Sequence, residues 1–178
     1  MREGAPPPHR NLQVFFGPSA SRMPTTRFAR IAVAIDGSPN SEEALGIAVD
    51  LAFRYGSELT VVTVAPLVPL YMPSGNTYLG PTITQVDSAK YRELVDAAVK
   101  RAQEGGVTAV TGVCLEGVIV DEILAFLDTH STDLVVVGSR GLSAAKRLLI
   151  GSVSSALVTH APCPVLVVRG SPSTTPAG

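Results

Sequence analysis

Two hydrophobic periods alternate along this chain. Residues 30–36, RIAVAID, are apolar nearly throughout, as a strand covered on both faces requires. In 38–56, Ala44, Leu45, Ala48, Leu51, Ala52 and Tyr55 fall at helical spacing. Ser38 supplies a capping hydroxyl, Pro39 a first helical residue and Gly56 a stop. LTVVTVAP (59–66) predicts a second buried strand. Residues 67–84 hold Pro69, Pro73, Pro81, Gly75 and Gly80 with no clear period, which predicts a long loop of the kind that usually serves function. A helix from about Gln85 to Gln103 follows, with Tyr91, Leu94, Val95, Ala98 and Ala102 inward and Gly105-Gly106 at its end. VTAVTGVCL (107–115) predicts a third strand, less buried because Thr alternates with Val. Val118–His130 predicts a helix packing through Ile119, Ile123, Leu124 and Leu127. DLVVVG (133–138) is a fourth strand, SVSSALVTH (152–160) a short helix and CPVLVV (163–168) a fifth strand.

Strand and helix alternate without an internal repeat. That order specifies an α/β fold: an open, five-stranded, mostly parallel, Rossmann-like sheet with right-handed crossovers and helices on both faces. Such sheets bind ligands beyond the carboxyl ends of their strands, where the strand order reverses. The candidates are therefore Asp36, Val64 to Pro66, and Gly138 onward.

Composition narrows the picture. Apolar residues make up 46% of the 178 but aromatics only 5%, so the core is aliphatic. A formal net charge of −1 gives no general attraction to nucleic acid or an anionic membrane, and neither is expected as a partner. No apolar run approaches the roughly 18 residues of a membrane span. Cys114 and Cys163 form no metal-binding pattern and read as two buried, reduced thiols of a cytoplasmic protein. The N-terminal 1–26, with three consecutive prolines and only Val14–Phe16 as an apolar patch, reads as a disordered tail rather than a signal peptide. Residues 171–178 read as a second solvated tail, leaving one domain over 27–170. Either Met1 or Met23 serves as the start.

The most informative stretch is VVVGSRGLSAAKRLLIGSVSSALV (135–158). Gly138 ends a strand, Gly141 follows, and Gly151-Ser152 opens a helix. A glycine after a strand permits a positive φ and close backbone approach to a ligand. The first N–H groups of a helix have no partner inside it and favour an anion. Gly138 and Gly141 thus suggest a tight turn under a ligand. Gly151, Ser152 and Val153 suggest a phosphate cradle, to which Ser152 and Ser154 add hydroxyls. Spacing alone fits two ordinary glycine-containing connections equally well. Neither GxxxxGK[ST], GxGxxG nor GxSxG occurs.

The pattern Gly138-x-x-Gly141, nine residues, Gly151-Ser152 resembles the nucleotide-binding signature of the universal stress protein family. IAVAIDGSPNSEEAL resembles that family's first strand and helix, and APCPVLVV its last strand. The resemblance spans about residues 28–169. It implies the fold of the adenine nucleotide α-hydrolase-like proteins. It also implies membership of the ATP-binding subgroup, acting in stress response, with magnesium accompanying the nucleotide and at most slow hydrolysis. By the same resemblance, Ala34 lies beneath the base, Asp36 near the nucleoside, and Val64 offers its backbone to adenine. Val137, Gly138, Arg140 and Gly141 wrap ribose and phosphates. Gly151, Ser152 and Val153 hold the phosphates, with Ser154 or Ser155 nearby.

Other readings stay open. Asp36 also fits a local cap of Asp-Gly-Ser, and Lys146 and Arg147 fit either a phosphate site or a solvated face. His130 and His160 read as structural, near helix C-termini. The chain could be an ATP-consuming enzyme, although AIDGSPNS lacks the paired glycines of the related ATP pyrophosphatases. It could instead be a dimerisation module that is empty or holds cyclic AMP. Pro164–Val168 is an apolar edge strand with nothing after it to cover it, which together with the resemblance predicts a homodimer. Deleting residues 1–22 is expected to leave the thermal midpoint nearly unchanged; a large fall would show that the tail packs.

Overall fold

The computed structural model describes residues 28–70, 82–85, 88–142 and 150–170. The expected tails (1–26 and 171–178), the boundary at Arg27, the centre of the expected loop, and Lys146 and Arg147 lie outside the described residues. The strands are β1 (Arg30–Ala34), β2 (Glu58–Leu70), β3 (Thr82–Gln85), β4 (Val110–Gly117), β5 (Leu134–Gly138) and β6 (Val165–Val168). The helices are α1 (Pro39–Tyr55), α2 (Ser88–Glu104), α3 (Ile119–Thr129) and α4 (Ser152–His160).

Five strands run parallel in the order β4-β2-β1-β5-β6. The chain steps outward from β1 through β2 to β4, then crosses to the other side of β1 for β5 and β6. The order therefore reverses between β1 and β5. Strand alternation sends β1 side chains to both faces. Ile31, Val33 and Ile35 pack with Leu59, Val61 and Val136 beneath Ala44, Leu45, Ala48 and Ala52 of α1 and Ala98 and Ala102 of α2. Ala32, Ala34, Val62, Val135 and Val137 pack on the opposite face with Ile123, Phe126 and Leu127 of α3 and Leu157 of α4. The alanine-rich inner faces of α1 and α2 let both helices settle close to the sheet.

Local signals act as expected in α1. The Ser38 hydroxyl accepts the Ser41 N–H, and Gly56 closes the helix in the left-handed region at φ 62°. Tyr55 is exposed rather than inward and meets Phe28 edge-on at 5.8 Å. Phe126, absent from the expected packing face of α3, is buried. The free edge strand β4 is mostly half-buried or exposed, in keeping with its alternating threonines.

The expected loop over 67–84 is a correction. β2 continues to Leu70, and Thr82–Gln85 returns as an antiparallel partner with Leu67 opposite Gln85 and Leu70 opposite Thr82. Gln85 accordingly belongs to a strand, and the described helix begins at Ser88. Both cysteines are free and half-buried rather than fully buried, and burial pushes each thiol pKa upward. Among the described residues no helix is long and apolar enough to cross a membrane.

Candidate functional site

A cleft of about 320 Å³ opens at the carboxyl end of the sheet, where the connections of the neighbouring strands β1 and β5 part in opposite directions. The volume lies at the lower end of the range for small-molecule sites. Of the residues expected at a ligand site, Ala34, Asp36, Val64, Val137, Gly138, Arg140, Gly141, Gly151, Ser152, Val153 and Ser154 line it, whereas Ala65, Pro66 and Ser155 are not among the lining residues. Ile119 and Ile123, expected only as packing residues of α3, line it too, as do Val62, Thr63 and Ser41. Their presence depends on how α3 crosses the sheet, which no local pattern encodes.

The lining is divided. Ala34, Val62, Val64, Val137, Ile119 and Ile123 make an apolar slot. The other end consists of the Gly138–Gly141 turn and the first turn of α4. Gly151 is the N-cap of α4, and no side chain caps the helix. The N–H groups of its first turn thus lack a partner inside the helix. Thr63 is buried and donates to the Ile35 carbonyl at 2.8 Å.

The glycines serve different needs. None of Gly138, Gly141 and Gly151 has a positive φ, so a left-handed turn does not explain them. A Cβ on Gly138 would lie 2.8 Å from the Asn40 carbonyl carbon and 2.9 Å from the Ser41 nitrogen, both backbone atoms. Gly138 is thus required by the start of α1. A Cβ on Gly141 would lie 2.4 Å from Asp36 Oδ2. On Gly151 it would meet only ordinary contacts, at 3.4 Å from the Ser139 oxygen and 3.5 Å from Arg140 Cα. The protein itself leaves room for a side chain at Gly151.

Asp36 acts as a clip. Its Oδ1 accepts the Ser38 N–H at 3.0 Å, and its Oδ2 accepts the Leu142 N–H at 2.9 Å. The local-cap reading therefore holds for one oxygen, while the other fastens the glycine turn. Ser154 is buried, and its hydroxyl faces the Ser139 and Gly151 carbonyls at 3.2 and 3.1 Å. Its hydrogen braces the start of α4, contrary to its expected use as a free donor. Ser152 is exposed at the same turn. His130 stacks on Phe126 at 4.0 Å and its Nδ1 lies 2.9 Å from the Phe126 carbonyl, away from the cleft-lining residues.

The universal stress protein family profile matches residues 27–169. The chain belongs to the universal stress protein family. A universal stress protein of Methanocaldococcus jannaschii is 34% identical over 145 residues, covering 80% of this chain and 82% of that protein. The universal stress protein YxiE of Bacillus subtilis is 35% identical over 148 residues, covering 80% of this chain and 99% of the relative. Among solved structures, UspA from Lactobacillus plantarum superposes with a TM-score of 0.69 at 23% identity, covering 80% and 99% of the two chains. A universal stress protein in complex with cAMP superposes with a TM-score of 0.61 at 26% identity, covering 82% and 99%.

The crowding at Gly138 has a measurable consequence. Gly138→Ala should destabilise the fold by about 1–3 kcal/mol, the usual cost of overpacking. Gly151→Ala should cost less than this, because its Cβ has room and only the N-cap preference for glycine over alanine is lost. Thermal denaturation of the two variants without ligand checks this; equal midpoints would refute the assignment of Gly138 to helix packing.

Proposed function

We propose that this universal stress protein is a cytoplasmic regulatory module in the stress response that binds an adenine nucleotide in the cleft between β1 and β5, with ATP as its nucleotide. The observation that carries the reading is the division of the cleft, with Gly151 at its polar end. The apolar slot suits a planar base. The uncapped first turn of α4 suits phosphate, and a Cβ at Gly151 would meet only ordinary contacts within the protein. The complex of a 26% identical family member with cAMP supports the same class of ligand. In this reading Ala34, Val64 and Val137 contact the base, with Ile119 and Ile123 closing the slot. Gly138, Arg140 and Gly141 border the ribose and phosphates, and Gly151, Ser152 and Val153 hold the phosphates. Asp36 and Ser154 keep the two turns in place.

The lining favours binding over fast turnover. Asp36 is its carboxylate, and both oxygens already accept backbone N–H groups, which leaves it poorly placed to activate water. Magnesium, where it accompanies ATP, would be carried largely by the phosphates.

Cyclic AMP is the second reading. Among the described lining residues Arg140 is the cation and Asp36 the anion, a balance better suited to one phosphate charge than to a triphosphate. Mass spectrometry of the natively purified protein, followed by calorimetry with ATP and magnesium and with cAMP, separates the two. Replacing Gly151 with Val should weaken binding about two to four powers of ten, since each charged hydrogen bond is worth roughly 1.5–3 kcal/mol and two would be lost. Circular dichroism serves as the folding control. Equal affinity in both proteins, or no heat from the wild type with either nucleotide, would overturn the reading.

The same reading includes a homodimer through Pro164–Val168. Among the described residues β6 pairs only with β5, and Val165, Leu166 and Val167 stay half-buried. Light scattering at micromolar concentration should report a dimer; a monomer at all concentrations would rule it out.

A further inference from the structure

Asn40 lies outside the cleft lining, yet it touches both the glycine turn that borders the cleft and the end of β6. It sits in the first turn of α1, half-buried. Its Nδ2 donates to the Arg140 carbonyl at 3.2 Å, and its Oδ1 accepts the Gly170 N–H at 3.0 Å. The orientation of the carboxamide follows from its partners, because a carbonyl needs the NH2 group and an N–H needs the oxygen. The Arg140 carbonyl also receives the Ser38 hydroxyl at 3.3 Å. The next N–H but one along the chain, that of Leu142, is held by Asp36. The glycine turn is therefore fixed from one side by Asp36 and from the other by Ser38 and Asn40.

The surroundings of Gly170 show how close the same carboxamide oxygen lies. It follows β6 and has no positive φ, so backbone conformation does not demand glycine there. A Cβ at that position would lie 2.3 Å from Asn40 Oδ1, with the Asn40 Cγ at 3.4 Å and Cα at 3.8 Å. The space for a side chain is taken by the carboxamide oxygen alone. Nearby, the Ser139 N–H donates to the Val168 carbonyl, so the end of β6 meets the glycine turn at two places.

We propose that Asn40 is a positioning residue that couples the end of the edge strand β6 to the glycine turn of the cleft. It rests on the nucleotide-binding reading for its consequence in affinity, but its structural part stands without it. Displacement of Gly170 pulls on the carboxamide, the carboxamide pulls on the Arg140–Gly141 peptide, and the turn that borders the ligand shifts. By linkage, ordering the turn with a ligand orders the end of β6 to the same extent.

The test uses four full-length proteins: wild type, Asn40→Ala, Gly170→Ala and the double variant. Amide hydrogen exchange without nucleotide is read at Leu142, with Val136 in the centre of β5 as reference. Asn40→Ala and Gly170→Ala should each speed exchange at Leu142 while Val136 stays near the wild-type rate. Gly170→Ala should add nothing once Asn40 is already alanine, because its methyl group then finds space. Calorimetry with ATP and with cAMP should show each single variant weaker by about three- to tenfold, as expected for the loss of one neutral hydrogen bond, and the double variant no weaker than Asn40→Ala. Exchange that rises equally at Leu142 and Val136 would mean that Asn40 only stabilises the fold and would overturn the proposal. So would effects of the two substitutions that multiply. If the wild type binds neither nucleotide, the functional reading fails, and the exchange at Leu142 still decides the coupling.

Discussion

The contact on which the site depends is the close approach of the end of β5 to the first turn of α1. Adjacent strands whose connections leave in opposite directions open a crevice between them. That crevice has useful depth only if the departing segments stay close to the sheet. The missing side chain of Gly138 lets the backbone of Asn40 and Ser41 come within the space a Cβ would need. Once α1 begins there, Ser38, Asn40 and Asp36 are placed within hydrogen-bond reach of the 140–142 turn. The turn is thus held by side chains of the first βα connection, although it lies about a hundred residues further along the chain. Cooperative packing of this kind gives a loop the order of a core element, because each anchor presupposes the others.

Most of the fold could be read from local pattern because its central strands are buried on both faces. RIAVA and LVVVG carry no polar residue inside the sheet after Arg30, and a continuous apolar run of that length bounded by helix signals has few alternatives. The α4 segment was equally legible, since Gly151-Ser152 marks its start and the expected 152–160 coincides with Ser152–His160. The segment 67–84 was not. Pro69 and Pro81 argue against a strand when each residue is weighed by itself, yet Pro69 lies opposite Ile83 in an antiparallel pair. What makes Leu67–Leu70 extended is a partner strand more than ten residues away, and single-residue preferences do not contain that information.

The site was legible as a set of positions and much less so as a set of roles. Gly138, Gly141 and Gly151 look alike in a sequence, each a glycine near the end of an element. Only the atoms around them separate one required by a helix backbone, one required by a carboxylate and one that the protein does not require. Asp36 and Ser154 both line the cleft, but their hydrogen bonds run to backbone groups of the protein. Asn40 gave no signal at all, because a polar residue in the first turn of a helix is what capping and solvation ordinarily select. Its meaning comes from Gly170, which is 130 residues away in the chain.

These roles bear on what kind of device the cleft is. A catalytic centre needs groups left free to exchange protons or attack, whereas the described carboxylate of this cleft and several of its hydroxyls are engaged in holding backbone. Asp36 fastens Leu142, Ser154 fastens the start of α4, and Ser38 with Asn40 fastens Arg140. What remains to meet a ligand is largely main-chain N–H and aliphatic surface, groups that recognise shape and charge without reacting. On the proposed reading, an occupant of such a cleft would act on the protein by ordering its two connecting turns. The first of these turns is joined to the end of β6, the strand at the open edge of the sheet, so order gained in the cleft has a short physical route to the surface where a second chain would add.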